Sequence, residues 1–315
     1  MRDRIPLSLA VSGLIVLHGI CLFAGFLSPY DPTEQNRTLS FAAPARIHFF
    51  DNQGVFHLRP FVYNGNSTRV PLRFCVDAHL FGVAAPDRIF LLGSDDYGRD
   101  QLSRLLHGGR ISLVGGWLAT ILSLGIGVVV GTFAGFRGGW VDEAMMRVAE
   151  LFLALPWLYL LLAVRALLPL TVDPETTFLL VTATIGVIGW ARPARLVRSA
   201  VLEAKERAYV QVARGFGAGS LHLVMRHILP ETRSVVFTQA ALLVPLYILA
   251  EVTLSFLGLG LGEPAPSWGN MLAPLRQYHV LTSFWWMVAP AFFLVPLCLC
   301  FQVCADALTK SNTPC

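Results

Sequence analysis

The amino-acid sequence predicts an all-α membrane protein with six transmembrane helices. Hydrophobic residue types make up 55% of the 315 residues, and charged types only 14%, whereas soluble domains carry about a quarter. The charged residues gather between long apolar segments, as expected when the segments lie in lipid and the charges in loops. The net charge of +4 includes no dense basic block, so no nucleic-acid partner is predicted.

Six segments have close to the 20 or so apolar residues that a helix needs to cross a bilayer. The third contains Arg165, which can reach the interface, and the fifth contains Glu251. The fourth is short, and we expect it to continue through residues 192–198 as a protruding helix. The first could instead be a signal peptide, but no small-residue cleavage site follows it, which favours an uncleaved anchor. The six segments are residues 6–27, 111–136, 151–170, 176–191, 234–260 and 280–305.

The distribution of Lys and Arg predicts the orientation, because these residues concentrate in cytoplasmic loops. Arg137 and Arg147 place the loop between the second and third spans inside, and residues 192–233 follow the same rule. Both termini are then cytoplasmic. The chain divides into residues 1–27 with the first span, an external insert at 28–110, a core at 111–305, and a cytoplasmic tail at 306–315.

The external insert is the only sizeable polar region, and it contains a candidate β-hairpin. Residues 47–50 and 55–58 are rich in aromatic and β-branched types and flank a turn-forming Asp-Asn-Gln-Gly segment at 51–54. Three acids close to the second span, Asp95, Asp96 and Asp100, resemble a metal-binding cluster. We interpret them instead as charges at a solvated helix start.

The predicted cytoplasmic segment 203–230 has the pattern of a helical hairpin. An amphipathic helix leads to a glycine-rich break at residues 215–219, where the chain can turn sharply. Ser220 is a candidate N-cap for a second short helix at 221–227, and Pro230 falls near the start of the fifth span. A basic interfacial hairpin without a protein partner would have the same composition.

This segment resembles the EAA loop of bacterial binding-protein-dependent ABC importers, whose pattern is EAA, three residues, Gly, nine residues, then I-x-L-P. The positions that match the second Ala, the Gly, the Leu and the Pro are Ala213, Gly217, Leu229 and Pro230. The departures are Gln211 for Glu, Val212 for the first Ala and His227 for Ile.

Further matches in the same order extend the resemblance over most of the chain. Residues 92–113 resemble the signature G-T-D-x-x-G-R-D…S-R…G-x-R-x-S-L, and three later segments, 135–142, 189–198 and 254–272, resemble other family motifs. Together they are similar to the C-type subunit of the dipeptide/oligopeptide/nickel permease family. Residues 30–90 lie outside this resemblance.

The resemblance implies a type I ABC importer permease in the bacterial inner membrane that imports peptides. It implies a heterodimer with a second homologous permease, two ATP-binding subunits in the cytoplasm and an external substrate-binding protein. Residues 203–230, with Gln211 among them, would couple the ATPases to the spans. No cofactor or metal is implied. The two lysines, Lys205 and Lys310, do not fit a P-loop, so we expect ATP hydrolysis in the partner subunits.

Several alternatives stay open at the level of sequence. Glu251 either lines the translocation path or makes a structural hydrogen bond within the bundle. The same machinery serves nickel, glutathione and some sugars in related systems. A secondary transporter or a membrane-embedded enzyme belongs to a different class, and neither accounts for the hairpin that ends at Pro230.

Overall fold

The structure is a computed structural model, and it is mostly helical. It describes residues 4–51, 53–63, 69–76, 79–83, 87–167, 169 and 173–312. Two compact units emerge from its contacts. The first comprises residues 1–14, 114–254 and 297–315, and the second comprises residues 15–113 and 255–296.

The α-helices follow the predicted apolar segments in order, with shifted boundaries. In chain order they are α1 (Arg4–Leu22), α2 (Ala24–Leu27), α3 (Gln101–Arg137), α4 (Gly139–Ala154), α5 (Trp157–Leu167), α6 (Pro174–Ile188), α7 (Ala191–Lys205), α8 (Ala208–Gly215), α9 (Ser220–Leu223), α10 (Arg233–Phe256), α11 (Trp268–Leu272), α12 (Tyr278–Ser283) and α13 (Ala289–Asn312). A π-helical turn (Val224–Ile228) and a 3-10 turn (Leu229–Thr232) join α9 to α10.

Three helical stretches among the described residues are long and apolar enough to cross a membrane: Gln101–Arg137, Ser220–Phe256 and Trp285–Lys310. Two bent pairs, α4 with α5 and α6 with α7, bring the number to five if each pair is one span. The apolar part of the first helix, Pro6–Leu22, is shorter. The six predicted segments are therefore all represented by apolar helices, and the all-α membrane fold is confirmed.

The third predicted span, residues 151–170, is wrong as a continuous helix. It is interrupted between α4 and α5, whose axes differ by 91°. Pro156 accounts for the break, because a proline disfavours helical backbone in the residue before it. Leu155 accordingly adopts an extended conformation with ψ 138°.

The fourth predicted span continues past residue 191, as expected, but with a bend. The axes of α6 and α7 differ by 42°. The chain turns at Gly189, where an added Cβ atom would lie 2.0 Å from the Tyr247 hydroxyl oxygen. Tyr247 also donates a hydrogen bond to Ser123 or accepts one from it, with 2.8 Å between the two oxygens. The bend is thus fixed by close packing against α10.

The last predicted span, residues 280–305, begins too early. Its first residues belong to α12, and a 3-10 turn (Trp285–Val288) precedes α13. Trp286 is buried there and its indole nitrogen donates to the Ser94 carbonyl oxygen at 3.0 Å. Trp286 and Met287 therefore pack inside the second unit with Phe284 against them, whereas Trp285 is exposed.

The predicted β-hairpin in the insert is confirmed, and it belongs to a larger β-structure. Strands β1 (His48–Phe50), β2 (Phe56–Tyr63) and β3 (Arg69–Pro71) form an antiparallel sheet in that order. Strands β4 (Arg73–Val76) and β5 (His79–Gly82) form a separate antiparallel pair. Of the predicted turn 51–54, residue 52 lies outside the described residues.

The Asp51 carboxylate organises the hairpin turn. It accepts hydrogen bonds from the backbone nitrogens of Gln53 and Val55 at 2.8 and 2.9 Å. It also lies 3.2 Å from His57 and 2.9 Å from Arg69. The bonds from Val55 and His57 lower the pKa of Asp51 to about 2. The turn therefore holds an ionised carboxylate that ties β1, β2 and β3 together.

Of the three acids before the second span, only Asp96 is exposed, so the interpretation as a solvated helix start is wrong for Asp95 and Asp100. Asp95 and Asp100 are buried, with 3% and 2% of their surface exposed. Asp100 caps α3, because its Oδ2 accepts from the Ser103 backbone nitrogen at 2.8 Å. Burial raises the pKa of Asp100 to about 6. Arg99, just before α3, and Arg104, in the first turn of α3, supply the counter-charge to Asp95.

Candidate functional site

The segment predicted to be a helical hairpin forms one, with small differences at its breaks. The amphipathic helix is divided, because α7 ends at Lys205 and α8 begins at Ala208. The sharp turn comes at Gly217, whose φ of +84° is one that L-residues rarely adopt. The N-cap of α9 is Gly219 rather than Ser220, and Gly219 is extended. We call residues 203–230 the coupling hairpin, after the role that the sequence predicts for them.

A buried apolar cluster holds the coupling hairpin against the helices of its own unit. One side chain of α8, Val210, and two from the second arm, Leu223 and Ile228, pack with residues of α7. Ala213, Ala218 and Phe136 border the cluster. The buried members are Val197, Val201, Ala204, Val210, Leu223 and Ile228. Both arms of the hairpin are therefore anchored to α7 rather than hanging as a free loop.

A row of glycines brings α3 into close contact with α7. Gly127, Gly131 and Gly135 are spaced four residues apart and lie on one face of α3. A Cβ atom added at Gly131 would lie 2.4 Å from the Ala194 carbonyl oxygen. Small residues at this spacing allow helix backbones in membranes to approach closely. The helix that carries the coupling hairpin is thus packed backbone to backbone against α3.

Two polar contacts strengthen the same junction. The Asp142 carboxylate of α4 binds Arg198 of α7 in a bidentate pair, with distances of 2.5 and 2.6 Å. The Lys205 ammonium, at the end of α7, donates to the carbonyl oxygens of Gly135 and Phe136 at 3.1 and 3.0 Å. These carbonyls belong to the last turn of α3, where backbone acceptors lack helical partners. Three helices are therefore joined immediately beside the coupling hairpin.

The two arms of the hairpin are also joined by charged and polar side chains. Glu231 accepts from the Tyr209 hydroxyl at 2.9 Å and pairs with Arg207 at 2.9 Å. The Glu231 charge raises the pKa of Arg207. Burial and the bond to Glu231 raise the pKa of Tyr209. Both groups keep their protons at neutral pH, so this connection between the arms persists there.

The residues singled out from the sequence fall at distinct places in the hairpin. Gln211 is exposed and its amide donates to the Lys205 carbonyl oxygen at 2.8 Å, bridging α8 to α7. Ala213 packs against the buried cluster. Gly217 forms the exposed turn, while Leu229 and Pro230 are half-buried in the 3-10 turn. Four of the five thus shape or anchor the hairpin, and Gln211 joins its helices.

Sequence reasoning missed that four large apolar side chains of the hairpin are exposed beside its charged and polar ones. Phe216 and Leu221 have 89% and 76% of their surface exposed, and Val212 and Met225 have 56% and 59%. Val212 and Phe216 are four residues apart, as are Leu221 and Met225, so the two members of each pair lie on the same side of their arm. In the sequence, these four residues could have been noticed as apolar residues in addition to those that pack against α7. We call these four residues the apolar face.

Glu251 lies in α10, apart from the residues of the hairpin. Only 1% of its surface is exposed. Its role in the translocation path therefore stays a prediction.

Comparisons with known proteins agree with this architecture. Residues 127–313 match a family model described as the binding-protein-dependent transport system inner membrane component. The dipeptide transport system permease protein DppC of Bacillus subtilis is 37% identical over 70% of this chain and 68% of its own length. The di/tripeptide permease protein DppC of Pseudomonas aeruginosa is 33% identical over 97% of this chain and 88% of its own length.

One solved structure supports the fold alone. It is the methionine ABC transporter MetNI in inward-facing conformations, with 18% identity and a TM-score of 0.51. The match covers 67% of this chain and 96% of that one.

Proposed function

Because this chain belongs to the family of binding-protein-dependent transport system inner membrane components, we propose that it is a permease subunit of an ATP-driven peptide importer. It forms the translocation path with a second, homologous permease. Two ATP-binding subunits dock from the cytoplasm, where both termini of this chain lie, and an external substrate-binding protein delivers the peptide. The chain itself hydrolyses no ATP.

The observation that carries this proposal is the apolar face on an anchored hairpin. Side chains as large as Phe216 and Leu221 are costly to leave in water, so exposed apolar groups on one rigid element indicate a protein interface. The buried cluster and the α3–α7 junction fix the hairpin to the spans. A force applied to the apolar face is therefore transmitted to α7 and α3 rather than lost in a flexible loop.

The ATPases would use this contact to drive alternating access. When nucleotide closes the two ATP-binding subunits, each docked hairpin moves with its subunit. Gln211, Ala213, Gly217, Leu229 and Pro230 keep the hairpin in shape, and Glu231 joins its arms. We further propose that Glu251, an acid inside α10, faces the path in the conformation that conducts substrate.

Peptides are the proposed substrate because the relatives are named as dipeptide, di/tripeptide and oligopeptide permeases. Nickel, glutathione and sugars are the alternatives within the same machinery. The test is uptake of a radiolabelled dipeptide by proteoliposomes that contain the complete importer, with ATP inside and binding protein outside. Uptake that depends on ATP supports the proposal. An assembled importer that takes up no di- or oligopeptide would refute the peptide assignment.

Coupling through the apolar face is tested separately with Phe216→Asp. The charge should abolish binding of the ATPases while the chain stays in the membrane. Leu58→Asp is the matched control, because Leu58 is equally exposed, at 87%, but lies in strand β2 of the insert. If Phe216→Asp retains both the ATPases and transport, the hairpin is not the coupling element.

A further inference from the structure

A polar cavity of about 630 Å³ lies in the second unit, between the residues that precede α3 and the loop that follows α10. This is the side predicted to be external. Its lining contains equal numbers of acids and arginines together with a buried glutamine. The charged residues are Asp95, Asp96, Glu263, Arg99, Arg104 and Arg276, and the buried glutamine is Gln101.

Two buried arginines of this cavity share one carboxylate. Arg99 and Arg104 are only 2% and 1% exposed. Both guanidinium groups bind Glu263: Arg99 through Nη1 and through Nη2 at 3.2 Å, and Arg104 through Nη2 at 3.1 Å. Arg99 thus presents two parallel donors and Arg104 a third, an arrangement that suits recognition of a carboxylate.

Asp95 holds the arginines in place without using the groups that face Glu263. Its Oδ2 lies 2.6 Å from Nε of Arg99 and 3.4 Å from Nε of Arg104. Its Oδ1 accepts from the backbone nitrogens of Tyr97 and Arg99, each at 2.9 Å. The arginines are thus positioned before any ligand arrives, and a site with fixed donors loses little entropy on binding.

Glu263 is the residue of this cluster whose side chain can most readily move away from the arginines. Its side chain is 42% exposed, whereas those of Arg99 and Asp95 are 2% and 4% exposed. It lies in the loop between α10 and α11, which contains Gly258 at φ +81° and Gly262 with open space around it. A carboxylate from outside can therefore replace that of Glu263 while Glu263 turns to water.

A second observation points to a ligand rather than a closed ion-pair cluster. Gln101 is fully buried and lines the cavity. Its amide nitrogen lies 3.0 Å from the Met287 sulfur, but its Oε1 has no hydrogen-bond partner among the residues that the structure describes. Buried amide oxygens are nearly always satisfied. The orphaned acceptor is suited to an N–H donor, such as that of a peptide bond.

We propose that this cavity is an external binding site for a short zwitterionic peptide. Arg99 and Arg104 bind its C-terminal carboxylate in competition with Glu263, and Asp96 receives its ammonium group. The cavity volume lies within the range of about 300–1,000 Å³ that is usual for small-ligand sites. The inference rests on the proposed function, because it takes the substrate to be a peptide.

Asp96 is suited to an ammonium group by position and by charge. Its side chain is 38% exposed, so it can be reached from the cavity. Burial and the neighbouring Asp95 raise the pKa of Asp96. A bound cation would favour the ionised form of Asp96 and so counteract both effects on its pKa.

The test measures binding of alanyl-alanine to the full importer in lipid nanodiscs, without binding protein, by isothermal titration calorimetry. Glu263→Gln removes the internal competitor, and a competitor that occupies a site about nine-tenths of the time weakens binding about tenfold. We therefore expect Glu263→Gln to bind the dipeptide about tenfold more tightly than wild type. Alanyl-alanine amide, which lacks the carboxylate, should gain nothing from the substitution.

The control variant is Glu34→Gln, because Glu34 also pairs with an arginine, Arg88, and is 44% exposed, but does not line this cavity. It should bind like wild type. The second variant, Asp96→Asn, removes no arginine contact closer than 3.8 Å. It should abolish the preference for alanyl-alanine over its N-acetylated form. This variant still tests the site if Glu263→Gln fails to fold.

The inference is overturned if neither wild type nor Glu263→Gln binds the dipeptide, or if both proteins bind the amide as tightly as they bind the dipeptide. ATP-dependent uptake by wild type with binding protein distinguishes the two proposals. If uptake is normal and the cavity variants change nothing, the site is wrong while the permease function stands. If no peptide is taken up at all, the proposed function is wrong.

Discussion

Replacing Gly131 with alanine should force α3 and α7 apart. The added Cβ atom would lie 2.4 Å from the Ala194 carbonyl oxygen and 3.0 Å from the Arg198 backbone nitrogen, whereas ordinary contact begins at 3.4 Å. Both neighbours are backbone atoms of a helix, so neither can turn aside as a side chain could. The helices must separate by about 1 Å, and overpacking of this kind costs about 1–3 kcal/mol.

The same substitution at Gly125 is the matched control. Gly125 lies on the same helix, and no atom of the described part of the chain is within 4 Å of a Cβ atom added there. Alanine is also the better helix former by roughly 0.5–1 kcal/mol. Gly125→Ala should therefore be neutral or stabilising, whereas Gly131→Ala should be destabilising.

Both variants are assayed by thermal unfolding of the purified protein, followed by tryptophan fluorescence, and by ATPase activity of the assembled importer. Gly131→Ala should melt at a lower temperature and should weaken the stimulation of ATPase activity by binding protein and substrate, because α7 carries the coupling hairpin. Identical melting and identical stimulation in Gly131→Ala and Gly125→Ala would refute the role assigned to the glycine contact.

Three further perturbations test other parts of the structure. Asp100 has a folded pKa of about 6 against an ordinary 3.8, so the folded state keeps its proton to higher pH than the unfolded state, and the stability of wild type should fall by up to about 3 kcal/mol as pH rises from 4 to 6. Asp100→Asn should remove this fall in thermal unfolding. Parallel pH profiles of wild type and Asp100→Asn would contradict this prediction. Gly217→Val should reduce ATPase binding in co-purification, because φ +84° is strained for valine, whereas Gly215→Ala should leave binding unchanged. Equal ATPase binding by the two variants would contradict the role assigned to the turn at Gly217. Asp142→Asn should lower stability by about 1–3 kcal/mol by weakening its bidentate arginine pair, and Glu143→Gln, in an exposed pair, should have little effect; equal losses would exclude a special role for the buried pair.

The apolar segments and the short-range patterns could be predicted from the sequence because they depend on neighbouring residues. Hydrophobic runs located the helices, and the aromatic runs on either side of Asp51 and Gly54 located the hairpin of the insert. The glycine turn at Gly217 was predicted for the same reason, since its backbone conformation is a local property.

The features that were missed depend on contacts between distant residues or on local competition. The 91° break at Pro156 lies inside an apolar run, and hydropathy does not register a missing backbone N–H. The buried acids near α3 looked solvated because their burial depends on the fold of the second unit, where Arg99 and Arg104 also bind Glu263, far away in the chain. The N-cap shifted to Gly219 because its extended backbone starts the helix without a side-chain bond.

The apolar face could be inferred only in part from the sequence. The spacing of Val212 and Phe216 is visible in the sequence, but the same spacing also occurs on faces that are buried. Only the packing of Val210 and Ala213 against α7 shows which side of α8 is left in water.

Co-purification of this chain from membranes in mild detergent, as wild type and as Phe216→Asp, tests the central claim most directly. The coupling proposal predicts that wild type brings with it a second permease and two ATP-binding subunits. Phe216→Asp should keep the second permease and lose the ATP-binding subunits, while Leu58→Asp should keep all three. Wild type that purifies alone, or a Phe216→Asp variant that retains its ATP-binding subunits, would contradict the claim that residues 203–230 couple this permease to ATP hydrolysis.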